Sequence, residues 1–190
     1  MSPNKIRTFI AIELDDNIRR RLAEIQDNPR NADADAKWVD PKNIHLTLKF
    51  IGDVPKDNVE KLCSAIEEGL KSFSKFEFQL GHLGCFPPKG QPRIVWVGVG
   101  LGGDLLKQIA VSLSNHVQSF CERQDDKEFS AHITIARIRS NKNIPRLLDL
   151  LNENSLKSFE KQTVDHVTLF KSDLTPSGPI HSVIKTFELK

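Results

Sequence analysis

The sequence has no tyrosine, one methionine, two tryptophans and three cysteines among 190 residues. Cys63, Cys85 and Cys121 are odd in number, widely separated and free of any CxxC pairing. That excludes a disulfide framework and a zinc ribbon, and a reducing cytoplasm is the simplest compartment. Long apolar runs are missing as well. The longest, around Ile94–Gly100, falls far short of the roughly 20 residues a membrane span needs. Met1–Thr8 is polar and leads into only four apolar residues, so no secretory leader is expected. Neither sign of charge dominates, since 27 Lys and Arg against 25 Asp and Glu leave a formal net charge of +2. This is unlike the strongly basic domains that grip long nucleic acid, so any RNA partner must be held by a local site. What is present is a soluble composition, 38% hydrophobic and 27% charged, long enough to bury a core without a covalent or metal staple.

The chain repeats a layout. Arg7–Leu14 reads as a short strand, followed by N-cap candidates Asp15, Asp16 and Asn17 and a helix face of Ile18, Leu22 and Ile25. Asn28–Ala36 reads as a loop and Ile44–Ile51 as a strand. Pro55 sits where a first helical turn would begin, ahead of Val59, Leu62, Cys63, Ile66 and Leu70 at helical spacing. Phe76–Leu80 closes the first half as a strand. The second half follows the same order: strand Ile94–Val99, a helix face from Leu106 to Phe120, strand Ala131–Ile138, helix Ile144–Leu156 with Pro145 in its first turn, strand Asp165–Lys171. Two β-α-β-α-β units, roughly residues 7–86 and 92–172, are therefore expected within one domain spanning 1–190. A turn-rich tail, 173–190, ends in a strand such as Ile184–Leu189.

The centre of each unit carries the same tetrad, His45-Leu46-Thr47-Leu48 and His132-Ile133-Thr134-Ile135. Side chains alternate along a strand, so His and Thr at i and i+2 share one face while the aliphatic residues between them share the other. One His-x-Thr among six histidines and seven threonines would mean little. Two, with aliphatic gaps and at matching points of two repeats, form a constellation. Imidazole titrates near neutrality, so one His can accept a proton while its twin donates one. Threonine hydroxyls are neutral donors suited to phosphoryl oxygens. The set fits an in-line displacement at phosphorus without a metal; only two His, and no clustered Asp, Glu or Cys, fall short of a catalytic zinc site.

Two such tetrads in a chain of this length resemble the 2H phosphoesterase superfamily. RTFIAIEL, HLTLKFIG, LGHLGCFP, PRIVWVGV and HITIAR, in that order, resemble the RNA 2′,3′-cyclic phosphodiesterases, also called 2′-5′ RNA ligases, across Arg7 to Leu189. The resemblance implies an α+β fold of two lobes, with two antiparallel sheets facing each other across a central cleft and helices outside. It implies opening of a 2′,3′-cyclic phosphate at the 3′ end of tRNA or another short RNA to a 2′-phosphate, and reversible 2′-5′ ligation with the same residues. It makes His45 the proton donor to the departing 3′ oxygen and His132 the acceptor that activates water. The tetrads by themselves leave that order open. Two departures stand out: Ala131 replaces the family's usual Pro before the second His, and His181 stands where a Tyr commonly follows the Gly-Pro step.

Arg137 matches the family's Arg just past the second tetrad and would clamp phosphate. Strict alternation puts it on the core face with Ile133 and Ile135, so it reaches the cleft only if the strand ends or bulges near Ala136; otherwise it is a rim residue in a surface ion pair. Lys49 shares the His45 face and is a candidate for RNA phosphate or a solvated side chain. Trp38 and Phe50 are candidates to stack on a terminal base, although Phe50 shares its parity with core residues. His82 and His116 have no partner at a telling spacing; His166 has Thr168 two places on, but that pair does not stand at the centre of either repeat. Gly100, Gly102 and Gly103 read as a strand-to-helix turn, without the trailing Lys-Ser/Thr of a nucleotide-binding loop, so no cofactor is expected. No membrane and no obligate protein partner is expected either, and the chain is expected to act as a monomer. Two other readings stay open at this stage: a non-catalytic module that holds RNA ends, and an enzyme for another small cyclic or 2′-5′ phosphate.

Overall fold

A computed structural model describes residues 4–122, 128–153, 160–176 and 178–190. The chain runs β1 Lys5–Glu13, α1 Asp16–Arg30, β2 Ala36–Trp38, β3 His45–Pro55, α2 Val59–Leu70, β4 Phe76–Phe86, β5 Ile94–Val99, α3 Gly103–Val117, β6 His132–Ile138, α4 Ile144–Glu153, β7 Lys161–Val164, β8 His166–Thr175 and β9 Gly178–Glu188. Two antiparallel sheets result, ordered β3-β1-β8-β9 and β2-β6-β5-β4-β7.

The repeated halves do not each build their own sheet. The closing strand of the first, β4, pairs with β5 of the second, while the closing strand of the second, β8, pairs with β1 of the first. The helices mix in the same way. α2 packs on α3 and α1 on α4, the first pair reaching β9 and β3 and the second reaching β4. One continuous core consequently joins both lobes, from Ile10, Ile12 and Leu46 in the first sheet to Val95, Val97 and Ile133 in the second.

Local signals mostly hold. Asp15 caps α1 by accepting a hydrogen bond from the Ile18 amide at 2.8 Å, and Ile18, Leu22 and Ile25 are buried. Gly102 has φ +82°, and a Cβ there would lie 2.5 Å from the Glu77 carbonyl oxygen, so only glycine fits the turn into α3. Pro55 departs from expectation: it ends β3, opposite Lys5 in the β1 ladder, and a 3-10 turn at Lys56–Asn58 precedes α2. β3 lies at the edge of its sheet, where a residue without an amide hydrogen costs no ladder bond. The tail is also more regular than expected, with β9 pairing along the whole of β8. Ala36–Trp38, at the end of the expected loop, forms β2 against β6. The expected last residues of α4, 154–156, lie outside the described residues. Among the described residues no helix is long and apolar enough to cross a membrane.

Candidate active site

β3 and β6, the two tetrad strands, touch each other where the sheets meet. Each carries a bulge at the same place. In the β1–β3 ladder Ala11 faces Thr47 and Ile10 faces Lys49, which leaves Leu48 as the extra residue. In the β5–β6 ladder Trp96 faces Thr134 and Val95 faces Ala136, which leaves Ile135 extra. A bulge shifts the parity of everything after it. His and Thr before it keep the cleft face expected of them. After it, the residue five places beyond each His turns to the cleft: Phe50 on one strand, Arg137 on the other.

The two imidazoles are set in matching ways. His45 Nδ1 lies 2.9 Å from the Asn43 carbonyl oxygen, and His132 Nδ1 lies 2.7 Å from the Ser130 carbonyl oxygen. A carbonyl oxygen only accepts, so each Nδ1 carries the proton and Nε2 is left for chemistry. Two aromatic rings back each imidazole. Phe9 and Phe170 stand 4.8 and 6.4 Å from His45, centroid to centroid, and Phe86 and Trp96 stand 5.1 and 6.4 Å from His132. Trp96 lies so close over Gly84 that a Cβ there would come within 2.3 Å of its ring. Both histidines line a cleft of about 1250 Å³ together with Thr47, Thr134 and Arg137.

A third imidazole enters from β9. His181 meets His45 edge to face at 5.3 Å and Phe9 at 4.9 Å, and its buried Nδ1 has no hydrogen-bond partner among the described residues. Burial lowers the pKa of His181. Burial also lowers that of His45, to about 4, against the opposing pull of the Asn43 carbonyl; the positive charges of His181, Arg19 and Arg137 lower it further. His45 is therefore an uncharged ring at neutral pH.

A cleft holding two matched His-x-Thr pairs beside an arginine is a candidate phosphoester site, and the known proteins this chain resembles decide its kin. A family model for LigT-like phosphoesterases matches residues 12–96 and 101–181. The chain belongs to that family. The RNA 2′,3′-cyclic phosphodiesterase of Methanothermobacter thermautotrophicus is 31% identical to it, over 97% of this chain and all of that one. The protein of the same name from Aeropyrum pernix is 36% identical over 90% of this chain and 94% of its own. Among solved structures, TT0787 of Thermus thermophilus matches at a TM-score of 0.79 and 25% identity, covering 97% of this chain and 98% of that one. E. coli LigT, solved in complex with 3′-AMP, shares the fold at a TM-score of 0.77 and 21% identity, covering 98% and 99%.

In this phosphoesterase the other candidates divide. Arg137 is exposed and lines the cleft, the bulge at Ile135 meeting the condition its parity required. Phe50, placed on the core face by simple alternation, is 58% exposed at the cleft wall. Lys49 moves the opposite way: it is 7% exposed and faces Ile10 in the ladder, although it still borders the cleft. Trp38 is a correction. It faces Ala136 in the β2–β6 ladder, packs against the core and carries the Arg30 guanidinium 5.2 Å above its ring, away from the cleft. The residue before it, Lys37, faces Arg137 and lines the cleft. Period-two alternation in a recognised β2 would have shown this, but three residues after a polar loop give no strand signal. His82 packs on Trp96, His116 bonds the Ser112 carbonyl, and His166 lies between Glu13 and Asp165.

Proposed function

We propose that the protein opens 2′,3′-cyclic phosphates at RNA 3′ ends to 2′-phosphates, with His45 as the proton donor and His132 as the proton acceptor. The observation that supports this most is the matched setting of the two imidazoles. Each has its Nδ1–H tied to a carbonyl two residues back and a threonine two residues on, across one cleft, in a family whose relatives carry this activity in their names. His132 Nε2 takes a proton from water as the water oxygen attacks phosphorus. The bond from phosphorus to the 3′ oxygen breaks, and His45 Nε2 hands its proton to that oxygen. Thr47 and Thr134 donate hydrogen bonds to the non-bridging oxygens, and Arg137 offsets their charge.

Burial leaves His45 uncharged at neutral pH, so as donor it gains its proton alongside the anionic substrate, whose charge opposes the effect of burial. These groups supply acid, base and oxyanion donors, and the mechanism we propose calls on no metal. A 5′-hydroxyl in place of water would join two RNA chains through a 2′-5′ linkage by the same displacement. The reading extends to a monomer working in a reducing cytoplasm, which suits three free cysteines. His45→Ala and His132→Ala should each lower kcat on a short RNA bearing a 2′,3′-cyclic phosphate by at least about 10², with circular dichroism unchanged. Wild-type turnover in both variants would refute the twin-histidine mechanism.

A further inference from the structure

The cleft is larger than its reaction centre requires. At about 1250 Å³ it exceeds the roughly 300–1,000 Å³ typical of small-molecule pockets. Beyond Thr134 it is lined with cations from β2, from β6 and from the residue that leads into β5. Lys37 of β2 faces Arg137 of β6, and Arg137 faces Ile94 at the head of β5, next to Arg93. The Arg93 backbone is pinned on both sides, its amide donating to the Phe86 carbonyl and its carbonyl accepting from the Ile138 amide. Neighbouring strands lie about 4.8 Å apart, so the row spans about 10 Å, more than one phosphate group occupies.

Two carboxylates border the same cleft among the described residues. Asp40 accepts from the Lys42 amide at 2.9 Å, and Glu128 pairs with Lys107. A chain with a net charge of only +2 places three cations at one end of one cleft. Arg137 is the innermost of them, near enough to His45 to depress its pKa.

We propose that Lys37 and Arg93 form a second anion subsite for the internucleotide phosphate one step 5′ of the terminal nucleotide. The protein then prefers the ends of RNA chains over cyclic mononucleotides. This rests on the phosphodiesterase reading above, and the test separates the two. Three substrates sharing one terminal nucleotide would be compared: the 2′,3′-cyclic mononucleotide, the dinucleotide with the same cyclic end, and that dinucleotide with an uncharged methylphosphonate linkage.

The charged dinucleotide should exceed both others in kcat/KM by about tenfold, the worth of one charge-assisted contact. The advantage should shrink with salt and be lost in the Lys37→Ala/Arg93→Ala double variant. Equal kcat/KM for charged and neutral dinucleotides in wild type would overturn the subsite alone. An advantage undiminished in the double variant would overturn its assignment to Lys37 and Arg93. Turnover of none of the three would overturn the phosphodiesterase reading and the subsite with it.

Discussion

At the scale of single residues, His45 combines two demands that pull apart. Its aromatic backing and the Asn43 carbonyl fix the ring, while burial, aided by the charges of His181, Arg19 and Arg137, disfavours its imidazolium. An NMR titration of the free protein should give His45 a midpoint of about 4 and an Nδ1–H tautomer above it. His181→Phe keeps an aromatic ring beside His45 but removes an ionisable one, so it should raise that midpoint. A wild-type midpoint near the ordinary value of about 6.5, unmoved by the substitution, would contradict this. The linkage sign follows. The unfolded chain binds this proton at a higher pH than the folded one, so the His45 contribution destabilises the fold as pH falls from about 6.5 to about 4 and is constant below that. The tetrad residues were legible because His and Thr lie before the bulges, where period two still holds. Phe50 and Lys49 were not, because they lie after one.

At the scale of elements, the bulges decide what the cleft contains. Nothing in Leu48 or Ile135 marks them: neither is glycine or proline, and a bulge is a matter of partner strand and register. The β6 bulge has a specific support. Gln26, buried in α1, donates through Nε2 to the Val39 and Ile135 carbonyls at 2.9 and 3.0 Å, and its Oε1 accepts from Arg30. It ties helix, β2 and bulge together just before Arg137. Gln26→Leu removes these bonds, and leaving buried polar groups unpaired costs about 1–3 kcal/mol. Urea denaturation should show that loss, and KM should rise because Arg137 is no longer held. A wild-type midpoint and KM would show that the bulge stands without Gln26. The helices themselves were legible from spacing and caps, since those signals are local.

At the scale of the whole molecule, the repeat was legible but its assembly was not. Hydrophobic periodicity identifies strands without naming their partners. β1 pairs with β8 across almost the entire chain, so each lobe takes its closing strand from the other half. The exchange runs one core through both lobes and holds the two tetrad strands against each other. The central claim is that this paired arrangement opens cyclic phosphates from the 3′ side. The most direct measurement is cleavage of a short RNA ending in a 2′,3′-cyclic phosphate, in EDTA, by wild type and His132→Ala side by side, with the product mapped. The account predicts a 2′-phosphate from wild type and at least about 10² less of it from the variant. A 3′-phosphate product, or none at all in EDTA, would contradict it.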